Sequence, residues 1–280
     1  MENSPGLVGL LPIALVIGVY LLVRLYRRWK EKNILFTPLP EDMIRCLEIS
    51  VPFYVGLDEP DRQRLRLKIK RFLADKAFYG CAELVITDEM RLIIAAEACL
   101  LILNQEGEIY PGLTAILVYP STFVAKREEL SEDGTRSVSS RDLLGESWDT
   151  GKVVLAWDAV AKGVADFADG NNVVLHEFAH QLDSSSGRTN GAPPLSKNSY
   201  KNWARVLSAN YEDLRLRSQR ALPTVIDTYG ATNPAEFFAV ATETFFERPH
   251  ELHHRRPELF EELSIYYRLD PRDWSPRQES

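Results

Sequence analysis

Apolar and polar positions alternate along this chain with helical periods for most of its length. Asp58 precedes a run in which Leu65, Ile69, Phe72 and Leu73 recur at helix spacing, with Pro60 in the first turn and Arg62, Arg66, Lys68 and Lys70 opposite. That pattern predicts an amphipathic helix with a solvated basic side. Asp88 opens a second helix through Leu103, apolar nearly all round and so buried. Leu84-Val85-Ile86 predicts a short strand or extended piece, and Thr114–Tyr119, stopped by Pro120, predicts a strand. Residues 126–149 are polar and read as a long surface loop or lid. Lys152–Trp157 predicts another strand, joined by Asp158–Gly170 to a helix over Val173–Asp183 that Asn171 or Asn172 can cap. A loop with Gly187, Gly191, Pro193 and Pro194 follows. Then come a helix near 200–216 with Trp203, Val206, Leu207 and Tyr211 inward, an irregular stretch over 221–232, and a helix from Asn233-Pro234 through Phe246. A last amphipathic helix covers 257–268, and residues 33–57 read as a linker with a short apolar segment.

The N-terminus differs in kind. No charged residue stands between Gly6 and Val23, a stretch long enough as a helix to span about 27 Å, close to a bilayer's hydrocarbon core. Arg24, Arg27, Arg28, Lys30 and Lys32 follow it. A cleaved signal peptide carries its basic residues before the apolar run, so this order predicts an uncleaved single-pass anchor in the inner (cytoplasmic) membrane. The basic flank stays on the cytoplasmic side and takes the following domain with it. The expected organisation is an anchor with its basic flank over 1–32 and one domain over 33–280. That domain divides into a helical part over about 36–110 and a part holding the chemistry over about 111–274. Composition changes this picture little. A formal charge of −7 argues against a nucleic-acid partner, and three cysteines without a C-x-x-C pair suit a reducing compartment.

The candidate chemistry sits in His176-Glu177-Phe178-Ala179-His180. Histidines four apart lie one above the other on a helix, where two ring nitrogens can reach one zinc ion at about 2.0–2.1 Å. Glu177, rotated off that face, can hold a water and accept its proton. The alternative is a pair of buried structural histidines, which would need other partners. A catalytic zinc takes a third protein ligand and leaves one position open. Position 186 is a serine, so a third histidine six residues on is absent. Asp183, one turn on, reads as a residue that accepts a hydrogen bond from a ligand or neighbouring backbone. His250, His253 and His254 sit among charges after Pro249 and read as a solvated turn. Glu236 is the stronger candidate, although with Asn233 as N-cap it also fits the third position of a capping box. Glu243, two turns on, competes with it or orients a histidine. A strand edge beside such a helix, here Lys152–Trp157, is a candidate for aligning a substrate backbone.

The motif, together with Tyr229 and Asn233-Pro234-Ala235-Glu236-Phe237-Phe238-Ala239-Val240, resembles the Mlc titration factor A family of bacterial zinc metallopeptidases. Gly145-Glu146-Ser147-Trp148, the strand to Trp157 and Leu113–Pro120 extend the likeness over roughly residues 36–274. The resemblance implies an α+β fold, a zincin-like domain that is mainly helical with a small sheet, similar to the peptidase domain of anthrax lethal factor. By position it implies one zinc ion held by His176, His180 and Glu236, with Glu177 as base and Tyr229 as the hydroxyl that donates to the oxyanion. It further implies a peptide or protein substrate, aminopeptidase-like activity and, as an alternative role, binding of a transcription repressor. The Gly6–Val23 stretch is not part of that family's pattern.

Overall fold

The computed structural model describes residues 15–19, 21–22, 24–25, 37–121, 128–130, 136–138, 145–148, 151–185, 187 and 189–275. The chain divides into two compact units, Met1–Pro40 and Glu41–Ser280. In the first, the described residues 15–19, 21–22 and 24–25 are helical, and Leu15, Val16, Ile17, Val19, Leu21 and Leu22 are exposed. The rest of Gly6–Val23 lies outside the described residues. Among the described residues no helix is long and apolar enough to cross a membrane.

The second unit is mainly helical around one small sheet. Its helices are α1 (Glu41–Ser50), α2 (Glu59–Asp75), α3 (Asp88–Leu100), α4 (Trp157–Ala165), α5 (Val173–Ser184), α6 (Tyr200–Gln219), α7 (Pro234–Glu247), α8 (Pro249–Arg255) and α9 (Pro257–Tyr267). Asp58 caps α2 by accepting from Asp61 N at 2.8 Å, and Thr87 caps α3. Both starts fall within a residue of where the sequence places them. The basic side of α2 is not simply solvated. Arg62 and Arg66 lie over the buried Tyr54 ring, their guanidinium carbons 5.8 and 5.7 Å from its centroid, and Lys68 donates to Gln105 O at 2.9 Å.

Strands β1 (Ala77–Gly80), β2 (Ala115–Tyr119), β5 (Gly145–Trp148) and β6 (Lys152–Ala156) form a sheet in the order β1-β2-β6-β5. The first three in that order run parallel, and β5 is antiparallel to β6 with Gly145 opposite Leu155. A separate pair joins β3 (Glu128–Leu130) and β4 (Arg136–Val138). Strand β6 is therefore paired on both sides and has no edge to offer a substrate. Among the described residues the outer strand on that side is β5, which like β3 and β4 falls inside the segment read as a loop or lid; the other residues of 126–149 lie outside the described residues. Leu84-Val85-Ile86 forms no strand, and the strand is the preceding Ala77–Gly80. Three further differences concern helices: α1 replaces part of the expected linker, α4 the connection after β6, and α8 the polar turn at His250–His254.

The core forms where α5 meets the earlier helices. Phe178, from inside the histidine motif, packs its ring 5.7 Å from Phe72 and 4.9 Å from Tyr110, whose hydroxyl donates to Ala98 O at 2.6 Å. One face of α5 is thereby fixed in the core, which turns the histidine face outward. On the other side Phe237, Phe238, Phe245 and Phe246 of α7 are all buried, with Phe245 stacked on Tyr267.

Candidate metal centre

Helix α5 is capped by Asn172, whose Oδ1 accepts from Val174 N and Leu175 N at 3.0 Å each. His176 and His180 leave it on one face, their Nε2 atoms 3.2 Å apart. Helix α7 supplies the third group. Asn233 caps it, and Glu236, in its first turn, puts Oε2 at 3.0 Å from His176 Nε2 and 3.5 Å from His180 Nε2. The three donor atoms lie within 4.8 Å of one another, and among the described residues no other group of three is placed to hold a metal. Their side chains are 14%, 11% and 18% exposed, sheltered yet reachable. Glu236 thus caps nothing with its carboxylate; it faces the histidines, and its buried Oε2 has no hydrogen-bond partner.

Glu243, two turns along α7, settles into the orienting role that was one of its alternatives. Its Oε1 lies 2.7 Å from His176 Nδ1, and its Oε2 accepts from Asn172 N at 2.6 Å. With Nδ1–H held by a carboxylate, the lone pair of a neutral His176 sits on Nε2, facing Glu236 and His180. Burial alone would push the His176 imidazole down. Glu243 and Glu236 outweigh it and hold the ring well above the ordinary histidine range. Burial raises Glu236 as well, but the two histidines reverse that and keep its carboxyl far below the usual range. A pocket that favours positive charge on its donors and ionises its carboxylate is suited to a cation. The donor set, two imidazoles and one carboxylate, fits zinc with a position left open.

Glu177 is buried at 4% exposure on the same helix. Tyr229 stands on the 3-10 turn Thr228–Ala231, which Asp227 caps by accepting from Tyr229 N at 2.7 Å. Its ring centroid lies 5.9 Å from that of His176, and the side chain is 44% exposed at the mouth of the centre. Asp183 is fully buried; its Oδ2 accepts from Gly191 N at 2.6 Å and its Oδ1 from Ala192 N at 2.9 Å. These contacts tie the loop after α5 to the end of that helix. His250 and His253 serve elsewhere, His250 Nε2 lying 3.1 Å from Ser275 O and His253 against Phe260.

Two carboxylates escape a reading of the sequence. Glu247 Oε2 accepts from Gly170 N and Asn171 N at 2.9 and 3.0 Å, and Glu97 Oε1 accepts from Asn172 Nδ2 at 2.9 Å. Glu247 and Glu243 grip the backbone that leads into α5, and Glu97 holds the side chain that caps it. A signal for Glu247 exists: Glu236, Glu243 and Glu247 are spaced by seven and four along a largely apolar helix, hence on one face.

Two histidines and a glutamate thus converge beside a small sheet in an arrangement that could hold a metal ion. Residues 26–268 match the family of glucose-regulated metallo-peptidases M90, and the chain belongs to that family. It is 44% identical over 273 residues to an uncharacterized protein of Synechocystis sp., covering 94% of this chain and 98% of that one. It is also similar to proteins named Mlc titration factor A. The identity is 34% over 230 residues in Serratia proteamaculans (80% of this chain, 86% of the relative) and 30% over 228 residues in Yersinia pestis (80% and 83%).

Proposed function

We propose that this protein is a zinc-dependent peptidase in which Glu177 is the general base. The observation that carries the reading is the convergence of His176, His180 and Glu236, with Glu177 buried one residue from the first ligand, in a metallo-peptidase family. A zinc ion held by those three would polarise the scissile carbonyl and acidify a bound water. Glu177 takes the water's proton and passes it to the leaving amine. Tyr229 donates its hydroxyl to the developing oxyanion, and Glu243 keeps His176 in the tautomer that leaves Nε2 open. The outer strand β5 supplies backbone groups against which an extended peptide can align. Action on short peptides, aminopeptidase-like, is the finer form of this proposal. Purified full chain should cleave members of a peptide library, stop with a chelator and recover with zinc. Cleavage indifferent to the chelator, or none across the library, would refute it.

A second reading concerns partners. The relatives' name describes titration of Mlc, and we carry to this chain the corresponding role of binding a transcription repressor. A pulldown with Glu177→Gln separates the two: substrates are held by the variant and released as products by the wild type, whereas a regulator is held equally by both. The exposed apolar helical residues Leu15–Val19, followed by the basic flank, support an anchor that keeps the catalytic unit on the cytoplasmic side. Protease added to intact cells should then leave that unit whole, and its degradation from outside would reverse the topology.

A further inference from the structure

Apart from the metal centre, a cavity of about 760 Å³ lies where the end of α7 meets α8. That volume suits a small organic ligand. Phe53 and Phe167 form one wall, their centroids 5.3 Å apart, and Trp274 belongs to the same lining. Gly56 lets the Trp274 segment come this close, since a Cβ there would stand 2.6 Å from Trp274 Cβ.

The wall also holds Glu247, only 2% exposed. Its Oε2 is used on Gly170 N and Asn171 N, but Oε1 is buried with no hydrogen-bond partner. A buried acceptor left without a partner is costly, so its persistence asks for a ligand that supplies one. The guanidinium groups nearby do not. Arg248 and Arg255 both pair with Glu251, the latter at 3.0 Å. Burial, with Glu243, Glu97 and Asp169 adding to it, pushes the Glu247 carboxyl up to about 9. A cation in the cavity would return it to the charged form.

We propose that this cavity binds a small organic cation, a guanidinium or ammonium on an aromatic or aliphatic body, with Glu247 as its counter-ion and Phe53, Phe167 and Trp274 as its walls. An anion of the same shape would meet Glu247 and Glu251, with both arginines already engaged.

Titration calorimetry of the full chain tests this with benzylguanidinium, which stays charged, and benzylurea, its uncharged counterpart of the same shape. The cation should bind at least ~10-fold more tightly, a preference set by one charge-assisted contact. Glu247→Gln should abolish the preference, because the amide keeps the shape and removes the charge. Glu236→Ala should leave it intact, which locates binding away from the metal centre. Equal binding of the two probes to the wild type would overturn the proposal without recourse to any variant. So would a preference that survives Glu247→Gln or disappears in Glu236→Ala.

Discussion

The two ring nitrogens of His176 face different partners. Nε2 faces Glu236 and His180, while Nδ1 is held by Glu243, which also accepts from the backbone N–H of Asn172, the residue that caps α5. Replacing Glu243 by Gln keeps an acceptor but weakens the hold on the tautomer. The expected result is zinc affinity lower by ~10–100-fold, measured by competition with a chromophoric chelator, with the fold unchanged by circular dichroism. Glu177→Gln should do the opposite: keep full zinc and lose at least ~10²-fold in peptide turnover. Glu236→Ala removes a donor and should lose the metal itself. If that variant keeps zinc and activity, the carboxylate's place beside His176 and His180 is structural. The motif was legible because metal chemistry demands a short, fixed spacing on one helix. Where the Glu236 carboxylate lies could not be read from the chain, since a capping position and a ligand position look alike there; α7 brings its first turn to the histidines.

At the scale of elements, the centre depends on how α5 and α7 are held together, and Gly191 is the joint. Its N–H donates to Asp183 at the end of α5, and its carbonyl accepts from Trp203 Nε1 of α6 at 2.9 Å. With φ at +77°, it packs so closely that a Cβ would stand 2.4 Å from Pro234 O in the first turn of α7. Gly191→Ala should therefore cost on the order of 1–3 kcal/mol in urea unfolding and also weaken zinc binding, because the collision displaces the turn that carries Glu236. Gly187→Ala is the control. Its φ is +87°, yet a Cβ there would meet nothing within 4 Å, so it should lose stability without losing zinc. Equal zinc affinity in both variants would remove Gly191 from this role. Strong local signals marked the long helices: Asp58 and Asn233 as caps, Pro60 and Pro234 in first turns. Among the elements that were missed, β1, α1 and α4 carry weak or short patterns and are specified by what they pack on. Strand β1 exists because β2 offers it a parallel partner, which four residues of sequence do not announce.

Across the whole molecule, the early helices are tied to the metal centre by a buried polar contact between residues 75 apart in sequence, Glu97 on α3 and Asn172 at the head of α5. Asn172 spends its Oδ1 on the helix cap and its Nδ2 on Glu97, so the same side chain starts the helix that carries the two histidines and fastens it to the core. Burial pushes the Glu97 carboxyl up to about 8, against the contrary pull of Asn172. In the unfolded chain it titrates near about 4.3. Between those values the folded state holds a proton that the unfolded state has released, so stability falls as pH rises through this window. The cost is absent below it and complete above it. Glu97→Gln keeps the acceptor for Asn172 Nδ2 and cannot ionise. Relative to the wild type it should therefore gain on the order of 1 kcal/mol or more between pH 5 and pH 8 in urea unfolding of chelator-treated full chain. Titrations of His176 and Glu236 are common to both proteins and cancel in that difference. A difference that stays constant with pH would mean that Glu97 is ionised in the fold, and that the contact holding α3 to α5 is a charged one.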